Sequence, residues 1–170
     1  MITLGNRRLT VEEIDRIIFS KEKIQLSGES LAEVEANFEF LKTYSRNKII
    51  YGINTGLGPM AQYKISDADQ QQLQYNLIRS HCSGAGARLS DNHARATMVA
   101  RLTSLMRGVS GVHPSVVILL KDLINEEVIP CLFEKGGVGA SGDLVQLAHL
   151  ALNLIGEGEL KSNGNWIPAT

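Results

Sequence analysis

Along most of the chain, apolar residues recur at the three- and four-residue spacing of a helix with one buried face. That spacing predicts six helices. TVEEIDRIIF opens on Thr10 with Glu13 three residues on, a capping-box pattern, and Val11, Ile14, Ile17 and Ile18 share one face. SLAEVEANFEFLKTYS repeats Leu31, Val34, Phe38 and Leu41, and SDADQQQLQYNLIRSH takes Ser66 as its cap. SDNHARATMVARLTSLMRG runs from Ser90 to a stop at Gly108, and HPSVVILLKDLINEE places Pro114 at the first helical position. DLVQLAHLALNLIGEG ends at Gly156. Between the helices lie three glycine-bearing loops, IIYGINTGLGPM, HCSGAGARLS and FEKGGVGASG. Short strands are expected at KIIYGI and near VIPCLF, but no alternation is sustained. The predicted class is mainly α, close to all-α, with at most short strands. GELKSNGNWIPAT reads as a turn and strand that the chain abandons, as if the polypeptide were cut short.

Composition narrows the function classes. A length of 170 residues suits one domain or a piece of a larger one, and suffices to bury a core. Lys+Arg 17 against Asp+Glu 18, with no basic block, argues against a nucleic-acid partner. No positively charged start precedes an apolar stretch, and VVILL is far too short to span a bilayer, so no membrane partner is expected. Cys82 and Cys131 lack a CxxC spacing, which predicts neither a metal site nor a disulfide framework, and a reducing cytoplasm.

The stretch richest in chemistry is EKGGVGASGDLVQLAHLAL, residues 134 to 152. Gly137, Gly139 and Gly142 satisfy G-x-G-x-x-G, with Glu157 and Glu159 about 20 residues from the first glycine, where a dinucleotide fold places an acid. Against a nucleotide-binding module, Glu134 and Lys135 stand where a buried strand should feed the loop. Asp143 also puts negative charge where pyrophosphate would rest. A nucleophile elbow, G-x-S-x-G, matches at Gly139 and Ser141 and fails at Asp143. A plain turn with Ser141 or Asp143 as N-cap accounts for one or two glycines more readily than four. The remaining reading is that the backbone reacts. Attack of the Gly142 nitrogen on the Ala140 carbonyl carbon closes a five-atom ring through Ser141. Loss of two waters, one carrying the Ser141 hydroxyl, then leaves a conjugated exocyclic methylene. Closure needs a compressed turn that bulky side chains would obstruct, so Ala140, Ser141 and Gly142 are the required small, reactive and bare positions.

With these residues in place the chain resembles the histidine and aromatic amino-acid ammonia-lyases, whose methylidene-imidazolone (MIO) cofactor forms autocatalytically from Ala-Ser-Gly within GASGDL. YGINTGLGPM, NLIRSHCSGAG, RGVSGVHPSV and IGEGEL resemble further family segments in the same order, so the resemblance covers essentially all of residues 1–170. It implies the amino-terminal, MIO-bearing part of a longer enzyme with the helical ammonia-lyase (fumarase/aspartase-like) fold. It also implies a homotetramer whose active sites draw on several subunits, with a carboxylate-binding Arg and a second catalytic Tyr downstream. The chain alone would then be inactive. No metal and no nucleotide is required.

By the same resemblance Tyr51, on a loop over the substrate, removes the β-proton. A phenol ionises near pH 10, so this asks for a fall of ~3 units, roughly 4 kcal/mol of differential stabilisation. Gly52, Gly56 and Gly58 would let that loop move, although Gly56-Leu57-Gly58 departs mildly from the family's usual Gly-Phe-Gly. Asn54 would hold the loop or contact substrate. Ser80-His81 matches the pair that borders the substrate ring in histidine lyases, whereas Val145-Gln146 stands where many of them have Ala-Pro. The implied reaction is deamination of L-histidine to trans-urocanate and ammonia; tyrosine or phenylalanine as substrate, or an MIO aminomutase, stays open. Asp143 would cap the helix below the ring. His149 reads as a packed structural residue, and Arg107 as a favourable charge at a helix C-terminus. A helical interaction fragment without chemistry is the reading that needs none of these roles.

Overall fold

The computed structural model describes residues 1–66, 68–138 and 144–170. Among them are six α-helices, α1 (Val11–Ile18), α2 (Gly28–Tyr44), α3 (Gln70–His81), α4 (Asp91–Leu105), α5 (Pro114–Asn125) and α6 (Leu144–Leu154). Seven short strands join them: β1 (Ile2–Leu4), β2 (Ile24–Leu26), β3 (Ala85–Arg88), β4 (Ile129–Pro130), β5 (Phe133–Lys135), β6 (Glu159–Ser162) and β7 (Asn165–Pro168). The fold is mainly α, but not all-α.

The helix boundaries follow local chemistry. Thr10 and Glu13 form the reciprocal capping box, Ser90 caps α4, and Pro114 opens α5 behind His113. Ser66 does not cap α3. Its carbonyl instead accepts the N–H groups of Asp69 and Gln70, making a separate turn, and the helix begins after Asp69. On α1 only the last turn is buried: Ile17 and Ile18 enter the core, while Val11 is 78% and Ile14 37% exposed.

The core gathers Met98, Leu102 and Leu105 of α4, Val117, Leu120 and Ile124 of α5, and Leu150 of α6. It takes in Ile2, Leu4 and Ile24 from β1 and β2, a parallel pair joined through α1 that the sequence pattern did not predict. Three-residue strands are too short for alternation to register. The expected strand at KIIYGI is absent, because Asn54 Oδ1 accepts the Ile50 N–H at 2.8 Å and Gly52 turns left-handed. Nor is the carboxyl-terminal strand abandoned. β6 and β7 form a hairpin through Asn163 and Gly164, both at positive φ, and β6 also pairs with β4.

Two exposed clusters anchor the amino-terminal region. The Arg7 fork holds the Glu13 carboxyl down at about 2, with help from the Thr10 N–H, and Arg16 with the amino terminus does the same for Glu22. A depressed carboxylate stabilises the fold fully above its ordinary value of 4.5 and loses that contribution as pH falls toward about 2. Urea midpoints should therefore fall between about pH 5 and pH 2.5, and fall less in a Glu13→Gln, Glu22→Gln variant. An equal fall in both proteins would refute this origin.

Candidate active site

The loop between α2 and α3 is built around Asn54 and Thr55, which are 2% and 0% exposed. Besides accepting from Ile50, the Asn54 amide donates to the carbonyls of Ser45 and Lys48 at 3.0 and 2.7 Å. Thr55 Oγ1 accepts the Gly52 N–H and donates to the Gly56 carbonyl, and Gln74 of α3 donates to the Gly52 carbonyl. Gly56 has no room for a side chain, since a Cβ there would lie 2.6 Å from Met60 Cβ. Gly52 and Gly58 lie at φ 75 and 53. This bonded loop carries Tyr51 outward, 64% exposed, with its phenol oxygen accepting the Gly58 N–H at 3.3 Å. Asn54 thus grips the loop backbone and does not line the cavity beside it.

That cavity, about 710 Å³, is lined by Tyr51, Leu57 and Gly58 of the loop, Leu77, Ile78 and His81 of α3, Arg101 of α4, and Leu144, Leu147 and Ala148 of α6. Most of the wall is apolar, so the tyrosine, the histidine and the arginine are its reactive or charged groups. His81 Nδ1 lies 2.8 Å from the Leu77 carbonyl oxygen, which can only accept, so in the neutral ring the proton sits on Nδ1 and Nε2 carries a lone pair. Ser80 supports this arrangement from the exposed side, its hydroxyl 3.1 Å from His81 Nδ1 and donating to the same carbonyl.

α3 and α6 are tied at two points. Arg79 grips Glu157 just beyond α6 with Nε–Oε2 at 3.0 Å, an exposed pair that lowers the Glu157 pKa. The Gly84 N–H donates to His149 Nε2 at 3.1 Å, and burial lowers that imidazole below its ordinary value, so it is a neutral structural acceptor packed on Phe133. Glu157 and Glu159, which stand where a dinucleotide fold would place its acid, instead pair with Arg79 and Arg88.

Gly136 opens the glycine-rich loop at φ 135, where a Cβ would fall 2.6 Å from Val145 Cγ1. Ala140, Ser141, Gly142 and Asp143 lie outside the described residues; α6, which contributes to the cavity, starts at the next position. Gln146, in its first turn, donates to the Phe133 carbonyl and keeps a buried Oε1 with no partner among the described residues. The strand before the loop, β5, is mostly exposed and pairs antiparallel with β3. A dinucleotide crevice needs a buried parallel strand at that place, and the described residues supply none.

Of the residues sequence reasoning pointed to, Tyr51 and His81 line this cavity, whereas Ser80 contacts His81 without lining it. That reasoning missed Thr55, Gln74 and Arg101. Thr55 follows Asn54 between two glycines, a local signal of a bonded turn. Arg101 has no local signal, because only tertiary packing turns that face of α4 toward α6.

The family model described as aromatic amino acid lyase matches residues 9–170. The chain is 42% identical to the histidine ammonia-lyase of Shouchella clausii over 165 residues, 96% of this chain and 33% of that protein. Its fold is similar to tyrosine aminomutase from Streptomyces globisporus, with a TM-score of 0.90 and 33% identity over 99% of this chain and 32% of the other. For histidine ammonia-lyase from Trypanosoma cruzi the TM-score is 0.87 at 32% identity, covering 99% and 33%. The chain therefore spans about a third of the length of these relatives.

Proposed function

The chain belongs to the aromatic amino acid lyase family, and from that premise we propose that it is the MIO-bearing portion of an ammonia-lyase that deaminates L-histidine to trans-urocanate. The observation that carries the reading is the single cavity shared by Tyr51, His81 and the first turn of α6, which begins two positions after Gly142 of Ala140-Ser141-Gly142 in sequence. The residues present fit the cofactor. The Ala-Ser-Gly order has the small, hydroxyl-bearing and bare side chains that cyclisation uses, and Gly136 permits the close approach of loop and helix that a Cβ would block. The group, once formed, supplies an electrophile for the substrate amine.

The chain's own side chains do the rest. Tyr51, its oxygen held by the Gly58 N–H, stands at the cavity wall as the base for the β-proton. The Nε2 lone pair of His81 accepts from a ring that carries a donor, which an imidazole N–H or a phenol does and a bare phenyl does not. Leu57, Leu77, Leu144 and Leu147 exclude water from the reacting bonds. Tyrosine deamination is thus the second reading, and an aminomutase that returns the amine shares the same groups. The working enzyme is read as a cytoplasmic homotetramer of the complete polypeptide. Among the described residues no helix is long and apolar enough to cross a membrane.

The test is the accurate mass of the tryptic peptide from Gly136 to Lys161, taken from the complete polypeptide. A deficit of two waters that vanishes in Ser141→Ala is expected. An unmodified mass in the parent would end the lyase reading.

A further inference from the structure

Away from this site, Arg7 and Arg8, between β1 and α1, and Arg107, just past the end of α4, line a cleft of about 330 Å³ with Asn6 and Thr103. The Arg7 fork is already occupied by Glu13 and the Thr3 carbonyl. Arg8 and Arg107 have no carboxylate partner among the described residues; the near acid Glu33, packed on Gly108, forms no ion pair with either. The position of Arg107 at a helix C-terminus accounts for that charge alone. It does not account for Arg8, 99 positions earlier, facing the same space.

The cleft continues into an apolar trough. Arg8 and Thr103 also line a second cavity of about 500 Å³, walled by Leu9, Ile14 and Ile18 on one side and Ala96, Val99 and Ala100 of α4 on the other. The small side chains of Ala96 and Ala100 leave this space open, and Ile14 is exposed along its edge. No acidic side chain lines either cavity.

We propose that this groove between α1 and α4 binds a small amphipathic carboxylate that carries no amine. Arg8 and Arg107 receive the carboxylate, with the Thr103 hydroxyl and the Asn6 amide beside them, and the trough takes the apolar body. A zwitterionic amino acid is disfavoured, because its ammonium group would enter between two arginines with no acid to meet it. None of the residues lining this groove lines the cavity that holds Tyr51 and His81, so it is a carboxylate site of its own.

The experiment follows amide signals of the 15N-labelled chain during titration with trans-cinnamate, L-phenylalanine and inorganic phosphate, and does not depend on deamination. Cinnamate should shift Ile18, Ala100 and Thr103 saturably, with a Kd of about 1 mM or tighter. L-Phenylalanine and phosphate should bind at least about tenfold more weakly. Arg8→Gln and Arg107→Gln, both at exposed positions, should each weaken cinnamate about fivefold without changing the circular dichroism. Ala100→Met should weaken cinnamate by filling the trough and leave phosphate binding as it was. Shifts confined to Leu77, His81 and Ala148, affinity unchanged by both arginine variants, or phosphate binding as tightly as cinnamate would each overturn the assignment.

Discussion

Replacing Arg95 by alanine should lower the unfolding free energy by about 4 kcal/mol, a large part of the margin of a domain this size. Arg95 projects from α4 into the core beside Met98 and Leu102 and is 1% exposed. Its Nε donates to the Ile17 carbonyl of α1 at 2.8 Å and its Nη1 to the Ile124 carbonyl of α5 at 2.7 Å. Both oxygens sit in the last turn of their helices, at the negative end of the dipole, and among the described residues only the Ile124 carbonyl has a further donor, the Glu127 N–H at 3.4 Å. One guanidinium therefore terminates two helices at once. Burial opposes its charge and pushes its pKa down, with Glu127 partly offsetting this, and Nη2 finds no partner among the described residues. The loss in Arg95→Ala combines an orphaned Ile17 carbonyl and the loss of the shorter bond to Ile124 with a cavity the size of the side chain. Arg95→Met fills most of the cavity and removes the buried charge, so it should cost only about 2 kcal/mol. Urea unfolding of the three proteins measures both numbers. Two variants within about 0.5 kcal/mol of the parent would show that the carbonyls are satisfied without the guanidinium.

Arg95 also marks what the sequence does not say. Within ARATMVARL nothing local separates Arg95, which is buried, from Arg101, which lines the candidate cavity; six positions apart, they differ only in what packs against each face of α4. The helices themselves were legible because caps and apolar spacing act within a few residues, as at Thr10, Ser90 and Pro114. The strands were not. β1 and β2 are each three residues long and meet only through tertiary pairing, while KIIYGI has β-branched content but satisfies its backbone on Asn54. Val11 and Ile14 belong to the helical stripe by spacing, yet the core reaches only the last turn of α1.

The site divides in the same way. Residues that share a loop or a turn, such as Tyr51 with Gly58 or Ser80 with His81, announce themselves by motif. Partners brought from far along the chain do not. Arg79 with Glu157 and Gly84 with His149 fix α3 against α6 over separations of 78 and 65 residues, and these contacts hold His81 beside the start of α6.

Tyr51→Phe should lower kcat for deamination by the complete polypeptide about 10³-fold while changing KM by less than about threefold. The phenol oxygen is the only atom removed, and its described bond is to the Gly58 N–H on an exposed loop, which water can satisfy. Stability should therefore stay within about 0.5 kcal/mol of the parent. The two-water deficit of the peptide from Gly136 to Lys161 should persist as well, because the proposed ring closure would use backbone atoms and Ser141 and would not draw on the phenol. Taken together, retained mass deficit, retained stability and lost turnover would place the defect at proton removal. A structural role for Tyr51 would instead lower stability or raise KM. A variant that keeps more than about a tenth of the parental kcat would remove Tyr51 as the base, since general-base contributions run from about 10² to 10⁴. The search would then turn to the remaining groups on the cavity wall, starting with the Nε2 lone pair of His81.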